Sequence, residues 1–162
     1  SVQQNIVRLT SNTTLGIDKL MITDTGADAV SDTELNLKQG KIFASVKKLS
    51  GASQYLIKLP NGIAGVRGTT FSISADGSIS CLESTGGGVV LSVVGTDGST
   101  KTFLVAPGQF LDPATGQPAA LSPEALSALQ GLFAAIQTSY LQLVDFSYDH
   151  TLNHISPTLG AH

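Results

Sequence analysis

"LPNGIAGVRGTTFSI", running from Leu59 to Ile73, decides how the rest of the chain is read. It sets Arg67 among small and β-branched residues, with glycines at Gly62, Gly65 and Gly68. Three readings compete: a phosphate cradle, a site for a catalytic arginine, or a corner of the fold. The glycine spacing lacks the lysine of a G-x-x-x-x-G-K-[ST] loop, and a strand pattern follows where such a loop needs a helix N-terminus aimed at the anion. A catalytic Arg67 requires an acid, base or nucleophile nearby. Yet His150, His154 and His162 all stand near the end of the sequence, and no G-x-S-x-G elbow occurs. Thr69, Thr70 and Ser72 suit strands and turns. The stretch reads as a structural corner, with glycines where a Cβ would clash and the five donors of Arg67 tying carbonyls or a carboxylate across it.

Working outward, period-two alternation marks half-buried strands on both sides. Leu35, Leu37, Ile42 and Val46 flank Gly40, and Tyr55, Ile57 and Leu59 alternate up to Pro60, Asn61 and Gly62. After Phe71 and Ile73 comes Asp76-Gly77, a tight-turn pair expected to close a type I′ hairpin. Asp97-Gly98 repeats the device between Val94 and Val105. The spacing of the two "DGS" triplets fits either one coil of a stacked β architecture or a meander. "STGGG", Ser84 to Gly88, has the composition of a flexible loop, and residues 112–122 have the Pro and Gly density of a linker. The period then changes. Ser122 can cap a helix, Pro123 suits its first position, and Leu126, Leu129, Phe133, Ile136 and Tyr140 recur at three- and four-residue steps. The expected organisation is a β domain over 1–111, a linker over 112–122, an amphipathic helix over 123–144 and a tail over 145–162. The fold class is mainly β, as stacked short strands and hairpins in a solenoid-like, β-roll or sandwich arrangement, with one C-terminal helix.

Charge narrows the function. The 162 residues carry a net charge of −3 and no tryptophan, which disfavours nucleic acid as a partner, since that needs a basic domain and often aromatic platforms. The charge is unevenly spread. Lys38, Lys41, Lys47, Lys48, Lys58 and Arg67 occur without an acidic residue between Leu35 and Ala75, so the lysines are a candidate partner-binding surface. After Lys101 no cation of either kind remains, while Asp112, Glu124, Asp145 and Asp149 follow. Cys81 is the one cysteine, which excludes an internal disulfide and a multi-cysteine zinc site, and it fits a small apolar core position. Asp149, His150 and His154 lack the H-E-x-x-H arrangement. Asp24, Asp28, Asp32 and Glu34 lack the glycine and spacing of an EF-hand and read as a solvated, loop-like stretch. No catalytic residue, metal site or cofactor is therefore expected. No apolar run approaches the roughly 18 residues that span a bilayer. The sequence opens at Ser1 without an initiator methionine, which is compatible with a removed signal peptide, membrane anchor or larger domain.

From Tyr55 to Val93 the chain also resembles the signature of FecR-type periplasmic domains, in which a strand ending in "TP" leads into "N-G-V-A-A-V-R-G-T-x-F-x-V". Leu59 stands where the threonine is usual, while Pro60, Asn61, Gly62, Ala64, Val66, Arg67, Gly68, Thr69 and Phe71 match. "SNTTLGID", "LNLKQGKIFASV" and "FLVAPGQFL" resemble flanking segments of the family, extending the likeness over about Val7 to Leu111. Many members carry "L-E-G-x-V" after the corner, whereas Leu82-Glu83 is followed here by "STGGGVV", which implies an enlarged loop.

The resemblance implies a non-enzymatic, β-rich, periplasmic or otherwise extracytoplasmic signalling module, solenoid-like in relatives. It would engage a protein partner in the cell envelope, such as an outer-membrane receptor or a transmembrane regulator, and would be membrane-tethered in its full-length form. The partner surface would be an exposed strand edge or the lysine-rich region. The alternative is a cell-envelope scaffold or a glycan- or peptidoglycan-binding module.

Overall fold

The computed structural model describes residues 5–24, 26, 29–47 and 53–136. The described part is mainly β, with one helix after the strands. The strands are β1 (Ile6–Leu9), β2 (Thr14–Asp24), β3 (Ala29–Gln39), β4 (Lys41–Val46) and β5 (Gln54–Leu59). They continue with β6 (Gly62–Ser74), β7 (Ile79–Val94), β8 (Thr100–Val105), β9 (Gln109–Asp112) and β10 (Gln117–Ala120). All ten join one mixed sheet. Only β3 and β5 pair in parallel among the described residues, and the other ladders are antiparallel. A regular solenoid would stack parallel strands throughout, so the architecture is an open mixed sheet.

The two longest strands organise it. The first half of β6 pairs with β5 from Gly62 to Gly65, whereas its second half pairs with β4 from Thr69 to Ser74. β7 divides in the same way, pairing with β8 along Val89–Val94 and with β9 at Ile79 and Ser80. One wall is therefore β8, β7, β6, β5, β3 and β2, and the other is β10, β9, β7, β6, β4 and β1. Side chains from both walls meet in a single core that includes Leu37, Ile57 and Leu91 from the first and Ile42, Phe71, Ile79 and Cys81 from the second. Strand alternation does this directly, because every second residue of β4 and β5 is buried.

Local chemistry explains the hairpin tips. At 75–77 the N–H of Gly77 donates to the Ser74 carbonyl and that of Ser74 to the Ser78 carbonyl, while Asp76 Oδ1 accepts the N–H of Ser78. At 96–98, Gly95, Asp97, Gly98 and Ser99 repeat every one of these bonds. Only the glycine of each pair has a positive φ. These are three-residue loops built on a type I turn with glycine in the bulge position, in place of the expected type I′ turn. They cap opposite ends of β7, so the paired "DGS" triplets mark a meander. Residues 112–122, read as a linker, contain β10, which pairs with β9 through a loop in which Asp112 accepts the N–H of Ala114 on its side chain.

The helix α1 occupies residues 123–136. Ser122 caps it, its hydroxyl oxygen accepting the N–H of Ala125 at 3.1 Å. Leu126 and Leu129 are half-buried and Phe133 and Ile136 buried, which traces the expected stripe. Tyr140 and the remainder of the expected helix to 144 lie outside the described residues, as do Asp149 and the three histidines.

Candidate functional site

The corner begins at Pro60 and Asn61, the two residues between the paired Leu59 and Gly62. Proline presets φ for the first turn position, and the Asn61 carbonyl accepts the N–H of Val94 at 2.8 Å, tying the turn to β7. A Cβ on Gly62 would stand 2.5 Å from the Ser92 carbonyl oxygen, so glycine lets β6 and β7 approach. Gly65 is different, because a Cβ there meets nothing nearer than 3.9 Å. Gly68 adopts φ +54°, in the left-handed region, where the ladder between β6 and β7 shifts register. Phe71 is fully buried between Ala44 and Cys81 on the neighbouring strands.

Arg67 does not fasten this corner through its side chain. It is exposed, and its guanidinium has no hydrogen bond or ion pair among the described residues. Alternation is the reason: Ala64 and Val66 face the core, so Gly65 and Arg67 face outward. The fastening group is the Arg67 carbonyl, which accepts the Thr69 hydroxyl at 2.8 Å. Thr69 Oγ1 also lies 2.8 Å from Ser84 Oγ, which in turn accepts the N–H groups of Gly86 and Gly88. Ser84 was not singled out from the sequence. Its partner is fifteen residues away, and its role is visible only with β6 and β7 in register.

"STGGG" is part of β7, not a free loop. Arg67 pairs with Gly88 and Thr69 with Ser84, so Gly68 alone faces the three residues Thr85, Gly86 and Gly87, which form an enlarged bulge. The bulge borders a cleft of about 350 Å³ on the outer face, lined by Gln54, Leu56, Gly65, Arg67, Gly88 and Val90 among others.

The described lysines of the expected partner surface are spread over β3, β4 with its C-terminal end, and β5. Lys41 and Lys47 flank opposite ends of β4, with Lys41 Nζ 5.1 Å from the Phe43 ring centroid. Lys38 is exposed on β3, and Lys48 lies outside the described residues. Lys58, on the other wall, lies 3.3 Å from Asp18 and 3.8 Å from Glu34, so its charge is locally offset. Asp18, Asp32 and Glu34 belong to strands rather than to a loop, with Lys19 bridging Asp32.

Tyr55 is buried, and desolvation pushes its phenol up to about 12, so it offers no sugar-stacking platform. Burial likewise pushes the Cys81 thiol up to about 11. No group of three or more His, Cys, Asp or Glu side chains able to hold a metal occurs among the described residues. No helix among them is long and apolar enough to cross a membrane.

The family model described as FecR protein matches residues 3–90. No curated protein matches the sequence. Two crystal structures of a candidate anti-sigma factor from Parabacteroides distasonis, at 1.65 and 2.50 Å resolution, are similar to it, each at 15% identity. Their TM-scores are 0.50 and 0.49, and the alignments cover 81% and 76% of this chain and 57% and 54% of theirs. The chain thus spans little more than half the length of those structures, and at 15% identity the likeness to the 1.65 Å structure is one of fold.

Proposed function

The chain belongs to the FecR family, whose model spans more than half of its 162 residues, and from that premise we propose that it is an extracytoplasmic signalling module that binds a protein partner in the cell envelope by strand addition. Members of this family are regulatory proteins, and the reading adds where and how this one acts.

The observation that carries it is the open edge of β2. Among the described residues this eleven-residue strand ends the sheet and pairs only with β3. Ile17, Leu20 and Ile22 stand opposite Leu35, Thr33 and Ser31, and directly opposed residues share a face. That is the face on which Leu35 and Thr33 are buried, yet Ile17, Leu20 and Ile22 remain 65%, 66% and 75% exposed. A bulge between Ile17 and Lys19 keeps Ile17 and Leu20 on the same side despite their three-residue spacing. An added strand would gain main-chain hydrogen bonds along β2 and cover this apolar row.

The test is a pull-down from envelope extract with the wild-type chain and an Ile22→Lys variant as parallel baits. A receptor or transmembrane regulator retained by the wild type and lost by the variant supports the reading. Equal retention by both baits removes the β2 edge, and recovery of only wall material or copies of the chain itself favours a scaffold. Location is checked separately with an alkaline phosphatase fusion to the full-length protein, active only when the domain lies outside the cytoplasm.

A further inference from the structure

We propose that the outer-face cleft across β5, β6 and β7 recognises a glutamate or aspartate side chain flanked by aliphatic residues, in an extended segment of a partner protein. This rests on reading the chain as a protein-binding module, but uses a surface distinct from the β2 edge.

The register builds the cleft. Leu56, Gly65, Val90 and Leu104 form one row across four strands, and Arg67 and Gly88 form the next. Gly65 contributes no side chain, and a Cβ there would meet nothing nearer than 3.9 Å, which leaves a trough between Leu56 and Val90 with Arg67 among its lining residues. Val90 and Leu104 are 44% and 54% exposed, so an apolar strip continues past it toward β8.

Charge selects the occupant. Arg67 has five donors and no side-chain partner among the described residues, and the lining contains no acidic side chain. β5 and β6 contain no Asp or Glu, and the one acidic residue of β7, the exposed Glu83, pairs with Thr70 and is not among the lining residues. A planar guanidinium in this setting matches a carboxylate through two parallel hydrogen bonds. A phosphate dianion would call for further cations, and among the described lining residues Arg67 has only the exposed Gln54 and the neutral Ser53 and Tyr55 as polar side-chain company. Aliphatic neighbours on the incoming segment would sit against Leu56 and Val90, where burial of apolar surface adds to the binding.

The probe is a capped peptide alternating leucine and glutamate, titrated into the ¹⁵N-labelled chain, with its glutamine counterpart as control. Amide shifts should concentrate at Leu56, Gly65, Arg67, Gly88 and Val90. Arg67→Gln should weaken binding by about tenfold or more, as should replacing glutamate by glutamine in the peptide. Gly65→Leu keeps the cation but fills the trough, and it should also abolish binding. Absence of saturable shifts, equal affinity for both peptides, or shifts elsewhere on the sheet would overturn the proposal. So would displacement of the peptide by comparable inorganic phosphate, which would mark a general anion site. Ile22→Lys should leave the titration unchanged, so this proposal and strand addition at β2 can fail independently.

Discussion

The Thr69 hydroxyl sits in a partly buried network with the Arg67 and Gly88 carbonyls and Ser84, whereas Arg67 itself is exposed. Thr69→Val keeps the shape but strands those partners, and should cost about 1–3 kcal/mol in urea denaturation. Arg67→Ala should change stability by no more than about 0.5 kcal/mol. The reverse order would return the fastening role to the arginine. "VRGT" could be recognised as a corner from its residue types, but which end of Arg67 did the fastening depends on the strand face it occupies. A second prediction concerns alkali. The Cys81 thiol rises from 9.0 to about 11 and the Tyr55 phenol from 10.0 to about 12, both through burial that disfavours their charged forms. Their contribution to stability is complete below the unfolded values and is lost as pH rises through the folded ones. Stability should therefore decline from about pH 9 upward, and Cys81→Ala with Tyr55→Phe should flatten that limb. Native Cys81 should also resist a thiol reagent at pH 8 and react once the chain is unfolded.

Among the elements, β2 yields the clearest expectation. Ile22→Lys removes no packing, because the side chain is already 75% exposed, so thermal stability should stay within about 0.5 kcal/mol of the wild type. Self-association at high concentration should nonetheless fall, since a lysine on an edge strand opposes pairing with another edge, and light scattering would record it. A large loss of stability would mean that this row is covered in the folded protein. β2 fell within the stretch expected to form short strands, but its bounds were not legible, because the bulge at Asp18 breaks the alternation and a single sequence gives no sign of what lies opposite. The hairpins at Asp76-Gly77 and Asp97-Gly98 were legible because their turn chemistry is local, although the turn type was not. The glycine run at 86–88 failed in the opposite direction. Its composition resembles a loop, and the pairing of β7 with β6 and β8 overrides that composition.

Among the described residues, four ladders join strands that are not consecutive, β1 with β4, β3 with β5, β4 with β6 and β7 with β9, and the parallel pairing of β3 with β5 requires the chain to leave for β4 and return. Closing such loops before their contacts form slows folding, so refolding should take milliseconds to seconds, measurable by stopped-flow tyrosine fluorescence. The mainly β class could be read from alternation alone. The arrangement as one open mixed sheet could not, because it depends on β6 and β7 each serving both walls. That sharing bears on the chain's history. An exchange of segments between relatives can transplant a wall only by cutting both long strands, so viable chimaeras should have their crossovers outside 62–94. Recombination would then inherit this middle region intact, while the outer strands and their specificities remain free to be replaced one at a time.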